Sequence, residues 1–277
     1  MLLLPLVTAA LVAQSLSITA AVAPRAEQFR YRFDNPSSFN TTELVPHFFE
    51  QRYDVVPLWF SADARYRIGA TDAMTTAGVS LRRTTRGSDI DTFMQPSGDI
   101  ATSGTDGPVQ LRSWEVTQRL ALARARGWSS VATFSYRRDT AEYLPDDRIV
   151  THTMPPSITR TFITDRETTV SQVFAVGVEA ERTTEISDRW HFTMGAGVQP
   201  MMQGRLMVRL PDKYPGVDLK FVALSGGGTV HGTLEHLARR WRAGITIAGA
   251  GARGYRQSSA YSLRSLSLTG FVGTRRR

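Results

Sequence analysis

A chain of 277 residues suits one domain, or two at most. It is 42% hydrophobic and has no cysteine, which excludes a disordered chain, a disulfide scaffold, a thiolate metal site and cysteine catalysis. With 33 basic and 25 acidic residues the net charge is +8, and past residue 23 no apolar run approaches the ~20 residues that carry a helix across a bilayer.

Residues 1–23 carry no charged side chain. Leu2, Leu3, Leu4, Leu6, Val7, Leu11 and Val12 form an apolar core, followed by small residues that fit a cleavage site near 21–23. An export signal is expected there, with a single domain over 24–277.

From Arg25 onward apolar residues mostly recur at every second position, the signal of a strand. The first predicted strand, 26–35, alternates Phe29, Tyr31 and Phe33 with Arg30 and Arg32. The second, 54–69, sets Val56, Leu58, Phe60 and Tyr66 against Asp63, Arg65 and Arg67, and the third, 73–86, sets Val79 and Leu81 against Arg82. The fourth, 109–124, opposes Trp114, Val116, Leu120 and Leu122 to Glu115 and Arg119; the fifth, 128–141, opposes Phe134 and Tyr136 to Arg137. The sixth, 168–184, places Phe174, Val176 and Val178 opposite Glu179 and Glu181. In the seventh, 189–210, every even position from Trp190 to Leu210 is apolar or glycine, and the odd positions include Gln199, Gln203, Arg205 and Arg209. Strands at 219–237, 240–257 and 261–274 complete ten. Segments 111–124 and 234–245 also fit helical spacing, but they lack clear caps and share their neighbours' alternation.

The connections alternate in length. Tight turns follow the second, fourth, sixth and eighth strands, whereas 36–53, 87–108 and 142–167 are long. A closed antiparallel up-and-down barrel gives this parity, with eight strands if the first hairpin does not form. The pattern over 26–274 resembles bacterial outer-membrane β-barrel proteins, which have even strand counts, short periplasmic turns and long outer loops. That resemblance implies apolar residues facing lipid and polar residues facing the lumen. It also implies aromatic girdles, here drawn from Phe29, Phe33, Tyr66, Trp114, Trp128, Trp190, Trp241, Tyr255 and Phe271, and assembly by the barrel assembly machinery. A soluble periplasmic ligand-binding barrel is the other reading of the same alternation.

On the membrane reading the lumen gathers Arg30, Arg32, Asp63, Arg65, Arg67, Arg82, Glu115, Arg119, Arg137, Glu179, Glu181, Gln199, Gln203, Arg205, Arg209, His231 and Glu235. A barrel of about ten strands is narrow enough to be filled by such side chains. The expected content is a network of Arg–carboxylate pairs, with a thin anion-preferring path as the alternative. Lipid is the expected partner, with lipopolysaccharide phosphates where Arg reaches the outer rim. The arginines are spread along strands, so no nucleic-acid partner is expected; no protein partner is indicated.

Ten strands with long outer loops also resemble the omptin family of outer-membrane proteases. In that family a paired-Asp motif and an Asp–His pair activate a water between them. Asp89-Ile90-Asp91 matches the first in kind and place; the fourth loop, with Asp212, carries no His. Asp89 and Asp91 are therefore the candidate catalytic residues of an alternative hydrolase reading. The expected role is non-enzymatic, porin-like or structural with surface-exposed loops, and no cofactor or metal motif is found.

Overall fold

A computed structural model of the protein describes residues 16–34, 46–94, 99–162, 166–209, 211–212, 216, 218–255 and 259–274. Among these lie fourteen strands and no helix: β1 (Ser17–Asp34), β2 (Pro46–Val55), β3 (Leu58–Ile68), β4 (Thr71–Ser80), β5 (Arg83–Met94), β6 (Ile100–Ala125), β7 (Trp128–Tyr143), β8 (Asp147–Thr153), β9 (Pro156–Phe162), β10 (Glu167–Ser187), β11 (Trp190–Arg209), β12 (Asp218–Leu237), β13 (Trp241–Gly254) and β14 (Ser259–Thr274).

They make ten strand paths. β2 and β3 are one path, broken at Val56-Pro57, and β4 and β5 another, broken at Leu81-Arg82. Towards the tight turns the ring runs β1–β3–β4–β6; towards the other end it runs β1–β2–β5–β6. It continues through β7, β10, β11, β12, β13 and β14, and β14 pairs back onto β1 from Thr19↔Gly273 to Phe33↔Ser259. The result is an antiparallel up-and-down barrel of ten strands, and the segments 111–124 and 234–245 that also fit a helix are strand apart from the turn at 238–240. Residues 17–23, inside the expected leader, pair with both β14 and β3. At the turn between β6 and β7, Arg126 (φ 50°) and Gly127 (φ 80°) both adopt the left-handed conformation that a two-residue hairpin turn requires.

In their described residues, the long outer connections expected at 36–53, 87–108 and 142–167 are largely strand. β2, β5 and the first part of β6 rise above the ring, and β8 and β9 prolong β7 and β10. β9 pairs with β8 alone. The barrel therefore carries a tall wall, β2–β5–β6–β8–β9, over one side.

The facing of the side chains inverts partway up the strands. In the lower half the outer face is apolar: Ile18, Val22, Phe60, Val79, Leu122, Phe134, Val178, Val198, Val230, Ile245, Ile247, Leu266, Leu268 and Val272 are all exposed. In the upper half the apolar residues turn inward. Phe29, Tyr31, Phe33, Tyr53, Val55, Val109, Leu111, Ala141, Tyr143, Val173, Ala175, Met202, Leu206, Val208, Phe221, Ala223 and Tyr261 form one buried cluster. Phe33 stacks on Phe221 at 4.3 Å between ring centroids. Burying each large side chain of this kind contributes about 1.5–3 kcal/mol.

Aromatics mark both limits of the outer apolar band. Trp128, Trp190 and Trp241 lie beside the tight turns, and Trp114, Tyr136 and Phe174 form a contacting row higher up. Along β7 the two limits are eight residues apart, which at ~3.3 Å per residue and a tilt near 40° is about 20 Å of height. That approximates the apolar band of a transmembrane barrel, so the lower half sits in lipid and the upper half stands in water. Phe29, Phe33 and Phe271, expected in the girdles, face inward instead.

Candidate functional site

The lumen within the membrane band is packed with ion pairs. Arg25, from β1, makes two 2.8 Å bonds to Glu115 of β6 and lies over the Trp59 ring at 4.2 Å. Arg137, from β7, donates to Glu27 at 2.6 and 3.0 Å and to Asp139 at 2.8 Å. The side chains of Glu27 and Asp139 are 0% and 1% exposed, so Arg137 neutralises charges that water does not reach. Lower down, Arg119 bridges Glu179 and Glu181, both at 2.6 Å, and His231 Nε2 lies 3.0 Å from Glu181. Arg242 joins Glu235 at 2.8 Å to Thr19 at 2.5 Å. Asp63 accepts from Thr76 at 2.8 Å.

Two glycines make room for this packing. A Cβ on Gly195 would lie 2.4 Å from the His231 ring, and one on Gly197 would lie 2.4 Å from Glu179 Cγ. Ligand atoms of Glu179, Glu181 and His231 lie within 4.8 Å of one another, a spacing a metal ion accepts. Arg119 already supplies the cation there, through hydrogen bonds to both carboxylates.

Several residues assigned to the lumen from the sequence lie elsewhere. Asp63, Arg65, Glu115, Arg119, Arg137, Glu179, Glu181, His231 and Glu235 are inside. Arg67 is at the lower rim with Asp72. Arg30, Arg32, Arg82, Gln203, Arg205 and Arg209 lie on the outer face. Arg30 pairs with Glu50, Arg82 with Glu142 and Arg209 with Asp218. The physical reason is the inversion: above the bilayer the outer face meets water, and water suits arginine. In β1 the switch falls between Glu27 and Phe29, both inward. In β11 a bulge between Gln199 and Met202 turns Met202, Leu206 and Val208 inward and Gln203, Arg205 and Arg209 outward.

Asp89 and Asp91 lie on β5, not in a loop, and in register with Thr105 and Ser103 on the inner face of the wall. Asp89 is buried, and a small pocket beside it is lined by Gln51, Tyr53, Gly87, Ser88, Val109, Ala141, Tyr143 and Thr169. Burial and the neighbouring Asp91 push the Asp89 carboxyl well above the usual carboxylate range and the Glu167 carboxyl up to about 8. Gln51 donates to Glu167, and Thr169 lies 3.1 Å from Gln51 Oε1.

Asp99 and His152 form a second pair, with His152 Nδ1 2.7 Å from Asp99 Oδ2. Asp99 also accepts from Thr153 N at 2.9 Å and Met154 N at 2.8 Å, and these bonds hold its carboxyl below the usual range. It thereby ties the start of β6 to the end of β8. This pair and the Gln51–Glu167 contact carry no sequence signal: the partners lie 53 and 116 residues apart and meet only in the closed barrel.

No family model and no curated protein matches the chain. Among solved structures it is similar to the outer membrane protease OmpT from Escherichia coli, with a TM-score of 0.61 and 6% identity, over 95% of this chain and 97% of that one. It also aligns with the translocator domain of the autotransporter NalP from Neisseria meningitidis, at 11% identity over 95% of this chain and 88% of that one, with a TM-score of 0.35. The likeness to OmpT shows the fold, a closed antiparallel β-barrel, and the apolar band around the lower half of this one has the character of a face that meets lipid.

Proposed function

We propose that the protein is a non-conducting structural barrel that holds its tall β-wall at the cell surface. The observation that carries this reading is the filled lumen. Ion pairs occupy it within the membrane, and an aromatic and aliphatic core closes it above. A barrel of about eight strands is just filled by its side chains, and ten leave little more room. Reconstitution into planar lipid bilayers tests it. The expected result is no unitary conductance; stable anion-selective steps would overturn the reading in favour of a porin.

Arg138 and Arg205 face outward in the row above Tyr136 and Phe174. At that height they meet lipid headgroups, and their forked guanidinium groups suit lipopolysaccharide phosphates. Replacing both with Gln is expected to weaken lipopolysaccharide binding without unfolding the barrel.

The hydrolase reading has one favourable observation: Asp89, Asp91 and the Asp99–His152 pair share the inner face of the wall. Their spacing disfavours it. His152 pairs across from Ala101, and Asp91 across from Ser103, two strands away. That places their Cα atoms about 12 Å apart, from ~4.8 Å per strand and ~3.3 Å per residue. Hydrolysis lost on Asp89→Asn or Asp91→Asn would favour it.

A further inference from the structure

The wall contains a charge imbalance that the structural role does not use. Asp89 is 7% exposed and lines the pocket, and its buried Oδ1 has no hydrogen-bond partner. An unpartnered carboxylate oxygen in such a place is unfavourable unless a proton or a cation meets it. Gln51 pairs across from Asp89 on β2 and donates across the lumen to Glu167 of β10, equally buried, and Asp91 on β5 adds a third carboxylate to the same field. Arg148 is a cation that acts on both Asp89 and Glu167. The remaining polar lining consists of oxygen-bearing side chains: Gln51, Ser88, Thr169 and the Tyr53 and Tyr143 hydroxyls. The pocket has room for about one water molecule, which suits a bare ion rather than an organic cation.

We propose that Asp89 and Glu167, with side-chain oxygens of Gln51 and Thr169, form a binding site for a hard divalent cation of the calcium type in the wall above the membrane. All the donors are oxygens, as calcium prefers, and they mix charged with neutral ligands. There is no imidazole or thiolate among them to favour zinc or copper. Gln51 Nε2 now donates to Glu167; turning the amide over would present Oε1 to the ion. The site joins β2, β5 and β10, so an occupied site would pin the wall to the body of the barrel.

Terbium tests this, because it substitutes for calcium and is sensitised by nearby tyrosines, here Tyr53 and Tyr143. The full-length protein, refolded free of lipopolysaccharide into a zwitterionic detergent, is titrated with terbium alone and then with calcium. The expected result is saturable luminescence at one ion per chain, competed by calcium. Glu167→Gln, close in size to the native residue, is expected to weaken binding at least tenfold, and Asp89→Asn likewise. Asp72→Asn, at the ion pair with Arg67 on the opposite rim of the barrel, is expected to change nothing. Absence of saturable signal overturns the proposal, as does a signal that survives in folded Glu167→Gln protein.

Discussion

The inversion of facing predicts that two outer-face positions respond unequally to the same charge. Ile245 lies in β13, four residues above Trp241, and is 55% exposed. At ~3.3 Å per residue and a tilt near 40° it stands about 10 Å above the lower girdle, near the bilayer midplane. An arginine there cannot reach either headgroup layer without distorting the bilayer. Ile245→Arg is therefore expected to cost about 2–4 kcal/mol. Gln203, on the outer face of β11 above the bulge, sits at the aqueous edge, where the same substitution costs about 0–1 kcal/mol. Reversible urea unfolding from liposomes, followed by tryptophan fluorescence, measures both. Equal costs for Ile245→Arg and Gln203→Arg would refute the placement of the lower half in lipid.

Other predictions follow from the lumen, the wall and the first strand. Arg137→Met leaves Glu27 and Asp139 buried without their cation, so unfolding titrations are expected to show a loss of about 3–5 kcal/mol, with Glu27→Gln recovering part of it; a loss below about 1 kcal/mol would contradict the network. In calcium-free buffer, the raised carboxyl of Glu167 makes the folded state bind a proton that the unfolded state releases. Its penalty therefore grows as pH rises from the ordinary carboxylate range to about 8 and is constant above. Glu167→Gln should then raise the melting temperature most above pH 8 and leave it unchanged at pH 4; a uniform shift would contradict this. N-terminal sequencing of the mature protein is expected to find its start at or before Ser17. A cut at 21–23 would strip the pairs Thr19↔Gly273 and Ala21↔Phe271 and expose strand edges to lipid, where unpaired backbone is costly.

The strands of the ring were legible in the sequence because one face of each is largely apolar at every height. The alternation of Trp190, Phe192 and Met194, or of Phe60 and Leu58, needs no knowledge of which side is lipid. Which face points where was not legible throughout. In β1 the apolar residues change parity, from Ile18, Ala20 and Val22 to Phe29, Tyr31 and Phe33, with no bulge; that switch is visible and marks the water boundary. In β11 the apolar residues keep their parity through Met202, Leu206 and Val208, and a bulge turns the chain beneath them. Nothing in the spacing distinguishes the two cases. The wall was read as loops because its strands carry polar residues on the face that lipid would have required to be apolar. The Asp99–His152 and Asp89–Glu167 groupings need the ladder register, which sequence separation conceals.

The two halves of the barrel are held by different forces. Lipid tails are as apolar as leucine, so the outer band of the lower half gains little from hydrophobic burial, and backbone bonds and ion pairs hold the lumen there. The upper cluster, from Phe29 to Tyr261, is withdrawn from water and behaves like the core of a soluble protein. Heat capacity separates the two, because exposing apolar surface to water raises it, whereas moving a strand within lipid does not. The heat-capacity change on unfolding therefore belongs mainly to the half that stands outside the membrane. Cooling weakens that half first, while the ring of ion pairs in the bilayer keeps its hold.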